Sequence, residues 1–109
     1  MANEDVPADE TAFGRMLRRK GDLTRAELRL REAINFGRQR WPAGHPVTAE
    51  ALLELGELLL DLSRAREAKA LLREALRLLV TAHGENDARS SATIAALQPL
   101  EKAPSGQHR

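Results

Sequence analysis

The side chains able to do chemistry are few and scattered along the chain. There is no cysteine, which removes thiolate nucleophiles, thiolate metal sites and disulfides. Of the three histidines, His45 precedes Pro46 in a loop, His83 stands at the expected end of a helix and His108 lies near the C-terminus. A metal site needs His or carboxylate groups converging at helical or loop spacing, and none of the three has such a neighbour. No glycine-rich phosphate loop is present. Ser63, Ser90 and Ser91 fall at expected helix starts, where a hydroxyl accepts an orphan backbone N–H. The expectation is a non-enzymatic protein without metal or cofactor.

The best-ordered set of polar groups is acidic. Glu50, Glu54, Glu57 and Asp61 are spaced 4, 3 and 4 apart, so on a helix they fall within about 60° of one face. The apolar ridge Leu52, Leu55, Leu59 and Leu62 lies roughly opposite. Overall charge selects no partner, because 17 basic and 16 acidic residues leave a net of +1. Residues 15–40 hold nine basic and three acidic residues. They lack the interleaved aromatics that stack bases, and Glu27 and Arg31 are placed to pair along a helix. Nucleic acid is not an expected partner.

The elements that must carry these residues are helices. Leu and Ala number 18 each, against five Val and Ile together and three aromatics, Phe13, Phe36 and Trp41. This is a helical composition and a poor one for strands. Breakers then divide the chain. A first helix spans about 9–20 and stops at Gly21-Asp22, and a second runs over about 24–40, opened by a Thr24/Glu27 capping box. Trp41-Pro42-Ala43-Gly44-His45-Pro46 is a loop, with Pro46 in the first turn of a third helix that ends near Leu62. A fourth helix, capped by Ser63, reaches about Ala82, and a fifth covers about 88–100. Disorder is expected over residues 1–8, which are acidic and unlike a signal peptide, and over 102–109. The most apolar stretch, Ala51 to Leu62, is interrupted by Glu54, Glu57 and Asp61, so no membrane span and a cytoplasmic location are expected.

Sliding the sequence against itself by 42 positions superposes both loops. Gly14 falls on Gly56, Leu17 on Leu59 and Ala26 on Ala68, and Leu30-Arg31-Glu32-Ala33 falls on Leu72-Arg73-Glu74-Ala75. Leu52, Leu55 and Leu58 in turn meet Ile94, Leu97 and Leu100. A mid-helix glycine costs about 1 kcal/mol relative to Ala, so Gly14 and Gly56 point to close helix approach. Ala26 and Ala33, like Ala68 and Ala75, recur seven apart and leave room for a neighbour, with Leu30 and Leu72 between them. A helix-hairpin repeat follows.

This pattern resembles the tetratricopeptide repeat, whose first helix carries a small residue and whose second carries two alanines. The 42-residue spacing and Gly44-His45-Pro46 are similar to the longer variant of kinesin light chains. The second loop keeps Gly84 but has Asp87-Ala88 in place of His-Pro. The resemblance implies an all-α fold, an α-solenoid of antiparallel helix hairpins. About two and a half repeats (9–45, 46–87 and a partial 88–101) would make five helices. It also implies a protein or peptide partner. The first helices would line a concave groove through Arg15, Arg18, Arg19, Glu50, Leu53, Glu54, Glu57 and Asp61, which suits a segment of mixed charge. The alternative is that Arg15, Arg18 or Arg19 simply pair with Glu50, Glu57 or Asp61. The last helix carries no charge between Arg89 and Glu101, a poor end for a repeat array. A homodimer through Ala92, Ile94, Ala95, Ala96 and Leu97 is therefore expected. A purely structural or oligomerising role is the alternative.

Overall fold

The computed structural model describes residues 6–102, with side chains from Glu10 to Glu101. Among these residues five helices follow one another: α1 (Val6–Lys20), α2 (Leu23–Arg40), α3 (Pro46–Asp61), α4 (Ala65–His83) and α5 (Ala88–Lys102). Each packs on its neighbour in sequence, and α3 also touches α1 and α5. Connections this short fold consecutive helices into antiparallel hairpins. The all-α, tetratricopeptide-like fold read from the sequence is the fold observed. No helix among the described residues is long and apolar enough to cross a membrane.

The repeat glycines account for how tightly the hairpins close. A Cβ at Gly14 would lie 2.8 Å from Leu30 Cγ, and one at Gly56 would lie 2.6 Å from Leu72 Cδ2. Leu30 and Leu72 are fully buried, between Ala26 and Ala33 in one hairpin and Ala68 and Ala75 in the other. Small residues thus set the approach of each helix pair, and one leucine fills the space they leave. Leu52, Leu55, Leu58 and Leu59 of α3 are also without exposed surface, which makes α3 the central helix of the core.

Several local expectations need correction. α1 begins at Val6 and α5 reaches Lys102, so residues 6–8 and 102 are helical, and the rest of the expected disorder lies outside the described residues. Pro7 suits a first turn, where its missing N–H has no partner to lose. α2 starts one residue early, at Leu23. Its cap is Asp22, whose carboxylate accepts the Arg25 N–H at 3.4 Å, while Thr24 is exposed. Ser63 does not cap α4. It takes a φ of 62° and serves the end of α3, where the Arg64 N–H reaches Leu59 O at 2.8 Å. Nor do Ser90 and Ser91 cap α5. Asp87 does, its Oδ1 accepting the Arg89 N–H at 2.8 Å, and Ser90 Oγ donates to Gly84 O instead. The Arg89 side chain and N–H together hold the Asp87 carboxyl down at about 2.

Candidate interaction surface

The face shared by α1 and α3 gathers most of the charged residues singled out by spacing. Arg15 Nε donates to Glu54 Oε2 at 2.7 Å, and its Nη2 lies 3.6 Å from Glu50. One helical turn on, Arg18 Nε donates to Asp61 Oδ2 at 2.7 Å, while its Nη1 lies 3.4 Å from Glu57 and 3.8 Å from Glu54. Two guanidinium groups therefore serve four carboxylates. Burial pushes the Glu57 carboxyl above its ordinary value, and neighbouring Glu54 and Asp61 add to this against the pull of Arg18 and Arg15. Burial disfavours the charge on Arg18, but the hydrogen bond to Asp61 and the surrounding acids outweigh it and raise the group. Glu54 Oε1 is buried without a hydrogen bond. Arg19 is exposed and in no ion pair with a described residue. Leu53 is only 7 % exposed and packs on Leu72 and Leu97, so it underlies this face instead of presenting to a ligand.

A second set of charges, across α2 and α4, was only half legible. The expected Glu27–Arg31 pair forms at 2.8 Å. Arg31 also reaches Glu67 at 2.7 Å, and Arg64 closes the square by pairing with Glu27 at 2.9 Å and Glu67 at 2.7 Å. Arg38 with Glu74, at 2.7 Å, extends the same contact. The cross-helix partners stand 36 or 37 positions apart, and that recurring offset was the available signal. Burial opposes ionisation of Glu27, but hydrogen bonds from Arg64 and Arg31 draw it below its ordinary value. The same arginines lower Glu67.

The hairpin α3–α4, with its glycine contact and its turn into α5, coincides with a family match. A profile of the tetratricopeptide repeat matches residues 48–89. The matched hairpin is of tetratricopeptide-repeat type. The match begins at Thr48 and ends at Arg89, a span equal to the internal offset of 42. No curated protein and no solved structure matches the chain. Tetratricopeptide repeats mediate protein–protein contacts and are an interaction fold, not a catalytic one. Among the described residues no group of three His, Asp or Glu could hold a metal ion.

The repeat register also explains how α5 sits. Ser90 and Thr93 are fully buried, and Thr93 Oγ1 donates to Arg89 O at 2.7 Å. Sequence reading took Ser90 for a helix cap and passed over Thr93. Yet Ser90 lies 42 positions after Thr48, which is likewise buried. Leu97 is 5 % exposed, against Leu53 and Leu72, so it belongs to the protomer's own core. Ala92 and Ala95 are exposed, and Ile94 and Ala96 are half-buried. Leu76, Ile94, Leu97, Gln98 and Glu101 border an open recess of about 300 Å³ between α4 and α5.

Proposed function

We propose that this protein is a non-enzymatic interaction module that takes a partner segment of mixed charge along the face shared by α1 and α3. The observation that carries the reading is the imbalance on that face, where Glu50, Glu54, Glu57 and Asp61 share Arg15 and Arg18. Cationic side chains of the segment complement the surplus carboxylates, and an acidic one complements exposed Arg19. The paired arginines hold the acids in place, so the face is ordered before a partner arrives, which lowers the cost of binding. The same reading makes the module cytoplasmic, a scaffold or regulator in its class of role. Six of the nine basic residues between 15 and 40 are already ion-paired, which supports a protein over a nucleic acid as partner.

The test is capture of partners by wild-type protein and by the double variant Glu57→Lys, Asp61→Lys. A partner held by the wild type and lost by the variant, with the helical circular dichroism unchanged, is the expected result. Equal retention by both overturns the reading.

Self-association through α5 is a second reading, favoured by exposed Ala92 and Ala95 beside the α4–α5 recess. Since Leu97 is buried, the informative substitution is Ile94→Glu. Light scattering at tens of micromolar should show a dimer that this variant dissociates. A monomeric wild type ends the proposal.

A further inference from the structure

We infer that Glu57 is the point on the α1–α3 face that receives a lysine or arginine side chain of the partner, and that seating this cation expels a proton from the face. This contact refines the reading of the α1–α3 face proposed above and rests on it.

The two arginines divide their bonds unequally. Glu54 takes the short bond from Arg15 and Asp61 the short bond from Arg18, each at 2.7 Å. Glu57 keeps only Nη1 of Arg18, at 3.4 Å, and that nitrogen also lies 3.8 Å from Glu54. Glu54 Oε1 is still left buried without a hydrogen bond, so Arg18 is shared too widely to satisfy its neighbours. Glu54 and Asp61 flank Glu57 on its own helix, three positions before and four after, and like charges at this spacing repel. Among the described residues Arg18 is the one cation paired with Glu57, and Arg15 draws on it from farther away. Neither α2 nor α4 brings it an ion pair, and Arg89 of α5 acts on Glu50 and is held by Asp87.

Exposure then singles out this carboxylate. The Glu54 side chain is 13 % exposed and largely covered, whereas Glu50 and Asp61, at 44 % and 42 %, keep much of their hydration. Glu57, at 32 %, is open enough to be touched and buried enough to lose water. Burial, with Glu54 and Asp61 beside it, pushes its carboxyl above the ordinary value. A neutral Glu57 has little attraction for a cation, but an ionised one facing an ammonium or guanidinium group gains what Arg18 supplies poorly. Bringing the cation in therefore favours ionisation. The O–H bond of Glu57 breaks, its electron pair stays on the carboxylate, and the proton passes to water or buffer. By linkage, the affinity of the face for a cationic segment rises with pH as Glu57 ionises.

Tetralysine serves as the probe. Its binding to the full chain is followed by NMR between about pH 7 and pH 4.5 at constant ionic strength, and the Glu57 carboxyl carbon is titrated with and without it. Wild type should bind about threefold more tightly than Glu57→Gln at pH 7, and the two should converge in acid. The Glu57 carbon should titrate at lower pH when tetralysine is bound. Glu50→Gln should lose less affinity than Glu57→Gln, a comparison made at pH 7 that stands even if acid unfolds the chain. Equal affinity of wild type and Glu57→Gln, or a Glu57 titration that tetralysine leaves in place, overturns this assignment while the face remains a cation-binding surface. No binding of tetralysine by wild type at any pH overturns the reading of the face as well.

Discussion

The two charged faces are built from the same residue types on adjacent helix pairs, yet they differ in balance. Across α2 and α4, Glu27 and Glu67 meet Arg31 and Arg64 in a closed square in which every charge has two partners. Across α1 and α3, two arginines meet four carboxylates, and one of these, Glu57, is pushed up instead of down. A balanced square gains little from any added charge and behaves as a clasp between hairpins. An unbalanced ladder holds charge in reserve, and a partner of the opposite sign lowers its free energy. The difference separates a structural contact from a candidate binding one without recourse to exposure, which is similar on both faces.

Both ladders depend on helix spacing, so the most drastic way to break the comparison is to move α3. Gly56→Val places a side chain where a Cβ alone would lie 2.6 Å from Leu72. It should destabilise the fold by about 3 kcal/mol, as overpacking of a core does. Denaturant unfolding measures it. The loss should greatly exceed that of any single charge substitution on either face; a cost near zero would show that the α3–α4 contact yields, and with it the geometry of both ladders. A gentler break is Glu27→Lys, which leaves three cations at one corner of the clasp. With the Glu27 side chain only 19 % exposed, the expected cost is about 1–2 kcal/mol. Glu57→Lys should cost clearly less, since Glu54 and Asp61 stand ready to pair with the new cation. Equal costs would erase the distinction between the faces.

How much of this was readable in advance follows from the kind of interaction. The five helices, the mid-helix glycines and the Leu–Ala division of labour are set by local propensity and by contacts that recur at a fixed offset, so a single sequence reveals them. The acidic stripe was legible because helical periodicity puts Glu50, Glu54, Glu57 and Asp61 on one face, and its pairing with Arg15 and Arg18 stood as an alternative. The square on α2 and α4 was missed because an ion pair between helices depends on which side chains the packing brings level. The caps failed for a related reason. Thr24, Ser63 and Ser90 have suitable chemistry, but Asp22, the left-handed turn at Ser63 and Asp87 decide where each helix begins. Leu97 stood among the expected self-association residues, although it could also pack inward, and in the structure it is buried against the protomer's own core.

The smallest predicted effect has the most informative sign. Glu27 and Glu67 titrate below their ordinary values in the folded protein. Their contribution is fully present above the unfolded carboxylate pKa and is lost as pH falls through the depressed folded one. The double variant Glu27→Gln, Glu67→Gln should therefore be less stable than wild type at neutral pH and converge on it in acid. Glu57 has the opposite displacement. Its ionised form costs stability above the raised folded pKa, and protonation removes that cost as pH falls. Glu57→Gln should thus be more stable than wild type at neutral pH, by about 0.5 kcal/mol or less given its partial exposure, and should also converge in acid. The two variants approach the wild-type curve from opposite sides. Thermal unfolding between about pH 3 and pH 7 reads both slopes; a Glu57→Gln curve lying below wild type at pH 7 would mean that its attraction to Arg18 outweighs the crowding of the acids, and that the α1–α3 face has no surplus charge to offer.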